Sequence, residues 1–213
     1  MTMYLPAHFE EKRVEVLHGL VRSHPLGLLV TQGASGLQAN SIPFLIDPEP
    51  GPLGTLRGHV ARANPVWRES GGGEALVVFQ GPQAYVSPGW YPSKAEHGKV
   101  VPTWNYVMVQ ARGTLRAVDD AAWLHALVTR LTATHEAAQA RPWAVADAPP
   151  EFVDTMLRAI VGIEIELVAL AGKWKVSQNR GAADRAGTIA GLAAQPGEQT
   201  QLMAREVQQP GST

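Results

Sequence analysis

Two short stretches of the 213-residue chain concentrate side chains that could bind an anion. In the first, Gly58-His-Val-Ala-Arg-Ala-Asn-Pro65, a predicted strand ends and a predicted helix begins. A helix N-terminus offers free N–H groups and a neighbouring arginine adds a forked cation, so Arg62 and Asn64 together suit a phosphate or a carboxylate. An ordinary asparagine cap beside a solvated arginine would give the same pattern, and the sequence leaves both interpretations open.

The second stretch, Lys173-Trp-Lys-Val-Ser-Gln-Asn-Arg180, follows a strand that alternates between apolar and charged residues. It holds three cations and three side chains that form hydrogen bonds, although the whole chain has only five lysines. Amide side chains combine a donor with an acceptor, which suits the mixed edge of a flavin or a nucleobase. A polar turn at the end of a strand is the alternative interpretation.

An aromatic cluster is the third candidate. Flat rings beside amides and hydroxyls could hold a planar heterocycle or form a dimer interface, whereas packing in the core is the simpler alternative. The rings are those of Tyr85, Trp90, Tyr91, Trp104 and Tyr106.

Several other chemistries lack support in the sequence. The seven histidines form neither an HExxH nor an H-x-H pattern, so no metal site is predicted. The absence of cysteine excludes thiolate nucleophiles and disulfides and fits a reducing cytoplasm. No G-x-S-x-G, P-loop or G-x-G-x-x-G motif is present, which leaves no basis for serine hydrolysis, nucleotide triphosphate hydrolysis or a Rossmann dinucleotide site. No catalytic residue is predicted.

The charge balance argues against a polyanionic partner. Eighteen basic and nineteen acidic residues give a formal charge of −1, so the chain as a whole does not attract nucleic acid or an anionic membrane. The sequence shows no compact helix-turn-helix pattern, which argues against direct DNA binding. It also has no signal-peptide pattern at its start and no apolar run near the ~18 residues of a membrane span, so we expect a cytoplasmic protein without membrane contact.

The elements that must position these residues are mostly short strands separated by turns rich in glycine and proline. This pattern predicts a mainly β fold with peripheral helices, arranged as a partly open antiparallel barrel. We expect a single domain over residues 1–195 and a polar, disordered tail over 196–213. The predicted strands are 26–31, 37–47, 53–60, 75–79, 83–87, 103–118 and 163–167, and the predicted helices are 8–24, 65–70, 119–137, 151–160 and 182–194.

Five longer motifs occur in the order typical of one known family. Together they resemble the PaiB-type family, described as FMN-binding negative transcriptional regulators, from residue 3 to about residue 194. Five motifs in order are more specific than any one of them. They are Met3-Tyr-Leu-Pro-Ala-His-Phe9, Gly58-His-Val-Ala-Arg-Ala-Asn-Pro-Val-Trp67, Phe79-Gln-Gly-Pro-Gln-Ala-Tyr-Val-Ser-Pro-Gly-Trp-Tyr91, Val101-Pro-Thr-Trp-Asn-Tyr106 and Lys175-Val-Ser-Gln-Asn-Arg180.

The resemblance implies an antiparallel split β-barrel of the flavin-reductase and pyridoxamine-phosphate-oxidase type. It also implies an obligate homodimer with FMN at the subunit interface. Under this resemblance Arg62 and the helix N-terminus at Asn64 would contact the FMN phosphate. The remaining implied cofactor-binding residues are Asn40, Ser41, His59 and Ala61, together with Thr103, Trp104, Asn105, Lys175, Gln178, Asn179 and Arg180, some of them from the partner subunit.

The sequence departs from the family in two places. Where the family often reads Thr-His-Leu-Pro, this chain has Asn40-Ser-Ile-Pro43, so it lacks an imidazole near the expected flavin. The segment 92–100 is longer than usual, which could alter access to the cofactor.

Three functions follow from these observations. The resemblance implies an FMN-binding regulator or flavin-based sensor that acts as a homodimer. The alternative is an FMN-dependent oxidoreductase or flavin reductase that uses NAD(P)H, in which the cofactor supplies the redox chemistry. The third is a dimeric binding protein without flavin, which would be colourless when purified.

Overall fold

Eight strands form the sheet of the described chain. The structure is a computed structural model that describes residues 3–34, 36–70 and 72–211. The strands are hydrogen-bonded in the order β3-β2-β6-β7-β8-β5-β4, with β1 paired to β8, and the paired registers are antiparallel. This confirms the predicted fold class. The bounds are β1 (Glu10–Glu11), β2 (Leu26–Gly33), β3 (Gly36–Pro43), β4 (Leu45–Asp47), β5 (Thr55–Ala61), β6 (Glu74–Val86), β7 (Thr103–Val118) and β8 (Ile160–Lys175).

Seven α-helices are interspersed with the strands of the described chain, and the last two, α6 and α7, follow strand β8. The long fourth helix begins where the sequence predicts, because the Asp120 side chain accepts a hydrogen bond from the backbone N–H of Trp123 at 2.7 Å and so caps it. The helices are α1 (Val14–Ser23), α2 (Val66–Glu69), α3 (Ser93–His97), α4 (Ala121–Glu136), α5 (Pro150–Arg158), α6 (Ala182–Ala193) and α7 (Glu198–Gln208).

Several predicted elements have different bounds in the structure. The strand predicted over 37–47 is divided into β3 and β4, and the strand predicted over 163–167 is part of the longer β8. The helix predicted over 8–24 is shorter, because Glu10 and Glu11 form strand β1 against Lys173 and Gly172 before α1 begins. The strands predicted over 75–79 and 83–87 are one continuous strand, β6. Gly81 lies within it, where an added Cβ would come 2.7 Å from Leu20 Cδ1, so the glycine makes room for α1.

The chain divides into two compact units. The first unit comprises residues 1–24, 79–110 and 171–213, and the second comprises 25–78 and 111–170. Strands β6, β7 and β8 each contribute residues to both units.

Close approach between strands characterises the second unit. An added Cβ on Gly113 of β7 would lie 2.0 Å from the backbone oxygen of Glu166 in β8, so no larger residue fits there. An added Cβ on Gly58 of β5 would lie 3.0 Å from the backbone oxygen of Pro43 at the end of β3. The fully or nearly fully buried aliphatic core of this unit includes Leu29, Ile42, Leu56, Ile163 and Ile165.

The first unit packs around Trp174, which is buried near the end of β8. Its indole Nε1 donates a hydrogen bond to the buried carboxylate of Glu206 in α7 at 3.1 Å. Helix α7 therefore belongs to the folded core of this unit.

The prediction of a disordered tail over 196–213 is wrong for residues 198–208. Helix α7 buries Met203 and Val207, which lie one helical turn apart on its inner face. The pattern was missed because polar residues occupy most other positions of the segment and leave only a narrow apolar stripe. Residues 212 and 213 of the predicted tail lie outside the described residues.

Candidate functional site

The thirteen residues expected to bind the cofactor divide between the two units. Six belong to the second unit and seven to the first, and each set is described separately. The second-unit set is Asn40, Ser41, His59, Ala61, Arg62 and Asn64, and the first-unit set is Thr103, Trp104, Asn105, Lys175, Gln178, Asn179 and Arg180.

In the second unit the side chains of Asn40 and Asn64 are in contact. Asn64 Nδ2 donates to Asn40 Oδ1 at 2.9 Å, and Asn64 Oδ1 accepts a hydrogen bond from the backbone N–H of Val66 at 3.0 Å. Asn64 thus bonds to the first residue of helix α2, but the N-cap position of that helix is Pro65 rather than the predicted Asn64. The helix itself is a single turn over Val66–Glu69, which is shorter than the predicted 65–70.

Arg62 follows β5 and is fully engaged within the second unit. Its guanidinium donates to both carboxylate oxygens of Asp119, at 2.9 and 2.6 Å. It also donates to the backbone oxygens of Arg158 and Ile160, at 2.7 and 3.0 Å. The hydrogen bond from Arg62 lowers the pKa of the Asp119 carboxyl. An anion that bound at Arg62 would have to compete with this carboxylate.

His59 opens onto an apolar cavity of about 300 Å³ in the second unit. The half-exposed side chains of Trp143, Phe152 and Met156 contribute to its lining. Burial lowers the pKa of the His59 imidazole, which is therefore neutral at pH 7. Ala61, two residues further along β5, is exposed.

Ser41 replaces the imidazole that the family often has at this place in β3. It is exposed and pairs across the ladder with Leu28 of β2, which is also exposed.

In the first unit, hydrogen bonds join the start of β7 to the end of β8. Lys175 Nζ donates to Thr103 Oγ1 at 2.6 Å and to the backbone oxygen of Trp104. The buried pair Asn105 and Ser177 forms a second link, in which Asn105 Nδ2 donates to Ser177 Oγ at 3.0 Å. These bonds bring Thr103, Trp104, Asn105 and Lys175 together at one end of the two strands.

The turn after β8 is held by its own side chains. Gln178 Oε1 accepts from the backbone N–H of Val176 at 2.8 Å, and Gln178 Nε2 donates to the backbone oxygen of Trp174. Ser177 adopts a left-handed φ of 66°, and its carbonyl accepts from the Arg180 N–H at 3.0 Å. Gln178 therefore shapes the turn, whereas the neighbouring Asn179 is exposed.

Three cations, Lys173, Lys175 and Arg180, form what we call the cationic cluster. The ammonium groups of Lys173 and Lys175 lie 5.4 and 6.0 Å from the centre of the Tyr106 ring. The Arg180 guanidinium lies 4.7 Å from the centre of the Tyr91 ring. Burial and then the charges of Lys173 and Arg180 lower the pKa of Lys175, so the cluster carries mutual repulsion.

No carboxylate lies within 4 Å of these cations among residues 3–34, 36–70 and 72–211. The Lys173 ammonium donates instead to the backbone oxygen of Tyr4 at 2.9 Å and lies 5.5 Å from the centre of that ring. Tyr4 is absent from the predicted site, and Lys173 belongs to the candidate stretch 173–180 but not to the cofactor-binding residues that the resemblance implies. The spacing of Lys173 and Lys175, which places both on one side of a strand, was the signal available in the sequence.

Exposed rings adjoin the cationic cluster. Trp104, whose backbone oxygen accepts from Lys175, is 55% exposed, and Tyr85 is 47% exposed. The two rings meet edge to face with their centres 6.1 Å apart. The first unit thus combines positive charge with an accessible aromatic surface.

The family comparison agrees with this combination. Residues 3–169 match the family described as "putative FMN-binding domain". The chain belongs to this family. The protease synthase and sporulation protein PAI 2 of Bacillus subtilis is 30% identical to this member, with 85% of each chain covered, and this confirms the PaiB-type resemblance. An uncharacterized protein of Emericella nidulans is 38% identical, over 89% of this chain and 90% of its own.

Solved structures of other proteins have a fold similar to that of this chain. The flavocytochrome Anf3 from Azotobacter vinelandii superposes with a TM-score of 0.57 at 10% identity, covering 78% of this chain and 69% of its own. The FAD and heme binding protein from Mycobacterium smegmatis gives 0.53 at 18%, covering 78% and 73%. Such identities bear on the fold alone, and the split-barrel prediction is confirmed.

Two negative findings apply to the described residues of this family member. No helix among them is long and apolar enough to cross a membrane. Within residues 3–34, 36–70 and 72–211, no group of three or more histidine, aspartate or glutamate side chains could hold a metal ion.

Proposed function

We propose that this protein binds FMN and acts as a homodimeric flavin-based sensor or negative regulator of transcription of the PaiB type. The observation that carries the proposal is the cationic cluster, which has no carboxylate within 4 Å in the described part of the chain and lies beside an exposed aromatic surface. Membership of a family described as FMN-binding supports the same ligand.

The chemistry of these side chains fits FMN. The cofactor has a dianionic phosphate, which needs cations, and a planar ring system, which packs on aromatic side chains. Lys175 and Arg180 supply the first requirement and Trp104 supplies the second. When bound, FMN would supply the redox chemistry, and the protein would supply binding, orientation and electrostatics.

The thirteen expected residues have different roles in this proposal. The side chains of Asn105 and Gln178 form hydrogen bonds at the turn after β8, so these two residues act as positioning residues. Thr103 at the start of β7 and Lys175 at the end of β8 bond to each other, and both are proposed to contact the ligand. In the first unit, Trp104, Asn179 and Arg180 are also proposed to line the cofactor. The resemblance assigns the same role to Asn40, Ser41, His59, Ala61 and Asn64 of the second unit. Arg62 has a structural role in this proposal, because its guanidinium is paired with Asp119.

An exposed sheet face supports the proposed homodimer. Leu26, Leu28 and Leu37 on strands β2 and β3 are 64%, 41% and 77% exposed. Large apolar side chains grouped on an open sheet face are typical of a surface that another protein covers. We place FMN at the interface between the subunits, as in the family resemblance.

The proposed regulator acts in the cytoplasm through a metabolite or a protein partner. A formal charge of −1 gives no electrostatic basis for direct DNA binding. A mobility-shift experiment with the protein's own promoter region at stated salt tests this point. A shift at protein concentrations below about a micromolar would contradict it, because non-specific binding is weaker than that.

The absorbance spectrum of the purified full chain tests the main proposal. We expect flavin bands, FMN as the chromophore released on denaturation, and a rise in the thermal midpoint when FMN is added. A colourless protein whose midpoint FMN does not change would refute the proposal. Size-exclusion chromatography with light scattering tests the dimer, which requires twice the chain mass of 22.8 kDa.

A further inference from the structure

Arg62 and the cationic cluster are two candidates for binding an anion. They differ in the groups that compensate their positive charge. Arg62, which the family resemblance implies for the phosphate, makes a two-oxygen ion pair with Asp119 and bonds two carbonyls. Its hydrogen-bonding capacity is largely used and its charge is compensated. A phosphate there would meet the negative charge of Asp119 as well.

In contrast to Arg62, the cationic cluster has no carboxylate within 4 Å among the described residues. Lys173 is only 8% exposed, yet the one hydrogen bond of its ammonium among the described residues goes to the uncharged backbone oxygen of Tyr4. A buried cation is stabilised when an anion comes close, and the tyrosine rings supply only part of that stabilisation. The site therefore favours a negatively charged ligand.

Lys175 and Arg180 offer donors of complementary geometry at the same place. An ammonium is a compact point charge, and a guanidinium is a planar fork that matches two phosphate oxygens. Thr103 Oγ1 accepts from Lys175, so its own O–H proton is free to be donated to the ligand. Mutual repulsion between these cations would fall when a dianion bound between them.

We propose that Lys175 and Arg180 contact the phosphate of FMN, that Lys173 supports them with a third positive charge, and that Arg62 does not bind the phosphate. This rests on the proposed FMN binding and names the subsite within it. The family resemblance implies that Arg62 binds the phosphate. In the structure Arg62 instead forms an ion pair with Asp119, which links the end of β5 to the start of α4. The cluster then selects FMN over flavins that lack a phosphate.

The test compares FMN with riboflavin, which has the same ring system and no phosphate. Dissociation constants of both are measured by flavin fluorescence on the full chain and on Lys175→Gln, Arg180→Gln and Arg62→Gln. We expect Lys175→Gln and Arg180→Gln to lower the preference for FMN about tenfold or more, as for a lost charge-assisted hydrogen bond. Riboflavin affinity should stay within about threefold, and Arg62→Gln should keep the preference.

Two further measurements separate binding from folding. Arg158→Gln is the matched control, because it removes an exposed arginine outside the cluster, and thermal midpoints report whether each variant is folded. Lys175→Arg should restore most of the preference for FMN, because it restores the charge. FMN affinity should fall with salt in the native chain, and more weakly in Arg180→Gln.

The outcomes distinguish the subsite from the function. Loss of the preference in Arg62→Gln with retention in both cluster variants would overturn the subsite while leaving FMN binding intact. Binding of riboflavin and FMN with equal affinity by the native chain would also overturn it. Failure of the native chain to bind either flavin would remove the proposed function itself. Inorganic phosphate should compete with FMN and not with riboflavin.

Discussion

The Arg62 guanidinium donates to both carboxylate oxygens of Asp119, 57 residues further along the chain. This pair shows that a cation in a recognisable motif need not be available to a ligand. Arg62 and Lys175 are both conspicuous in the sequence, but only Arg62 has an acidic partner within 4 Å among the described residues. The availability of a cation depends on tertiary contacts rather than on its motif.

The first prediction concerns this pair. Asp119→Asn should free the Arg62 guanidinium from its charged partner while leaving its hydrogen bonds to the carbonyls of Arg158 and Ile160. Because the pair is exposed, we expect a small fall in the thermal midpoint. Arg62→Ala should lower the midpoint more, because both carbonyls then lose a donor. Equal midpoints for the two variants would show that the carbonyl contacts do not contribute.

The second prediction concerns a partly buried charge network in the second unit. Arg57 pairs with both Asp47 and Glu164, Arg130 adds a second pair to Asp47, and Arg116 adds one to Glu164. Removing Arg57 leaves two half-compensated carboxylates, so Arg57→Met should lower the free energy of unfolding by about 1–3 kcal/mol. Urea denaturation at pH 7 measures this, and the exposed Arg141→Met is the control.

The same network predicts an acid-labile contribution to stability. Burial alone would raise the pKa of Asp47 and of Glu164, but the hydrogen bonds and charges of their arginine partners outweigh burial and lower both values. Carboxyl groups with a lowered pKa in the folded state stabilise it above their ordinary pKa, and this stability is lost as the pH falls through the lowered values. Asp47→Asn should therefore flatten the fall in stability below about pH 4.5.

Local patterns predicted the elements whose signals are local. Strand β7 has the predicted bounds 103–118, because its long alternating run is bounded by Pro102 and by the pair Asp119 and Asp120. Helix α4 was predicted from its cap and apolar stripe. The start of α1 was misplaced because Glu10 and Glu11 pair with a strand more than 160 residues away, and no local pattern shows such a partner.

Some contacts among the candidate site residues follow from motifs that lie on neighbouring strands. The segment 175–180 and the strand start at Thr103 meet as expected, because they belong to adjacent strands β7 and β8. Other contacts of these cations involve segments that are distant in sequence. Asp119 compensates the charge of Arg62, and the rings of Tyr4 and Tyr106 lie beside the Lys173 ammonium. Their positions depend on the tertiary fold, and the sequence pattern contains no equivalent signal.

The third prediction tests whether α7 is part of the folded core. Met203 and Val207 are fully buried, and Trp174 donates its hydrogen bond to Glu206 of the same helix. Met203→Ala should therefore cost about 2–5 kcal/mol of unfolding free energy. The exposed Gln208→Ala on α7 is the control, because any loss there should stay below about 0.5 kcal/mol. A neutral Met203→Ala would mean that the helix does not contribute to stability.

The fourth prediction uses two glycines that differ in their surroundings. Gly113→Ala would place a methyl group 2.0 Å from the backbone oxygen of Glu166, so β7 and β8 would have to separate. We expect a loss of at least about 3 kcal/mol or no soluble protein. Gly181→Ala is the matched control, since no atom lies within 4 Å of its added Cβ and its φ of −63° suits any residue. Similar stability for the two variants would contradict the close strand approach.

The fifth prediction follows from burial of His59 beside the apolar cavity of the second unit. Burial lowers the pKa of this imidazole below its ordinary value of 6.5, so the unfolded chain takes up a proton at a higher pH than the folded chain does. Stability should therefore fall as the pH drops from 7.5 to 5.5, and His59→Gln should reduce that fall. The exposed His135→Gln should leave it unchanged. Urea denaturation at both pH values measures the difference, and equal pH dependence in the native chain and His59→Gln would show that His59 does not contribute.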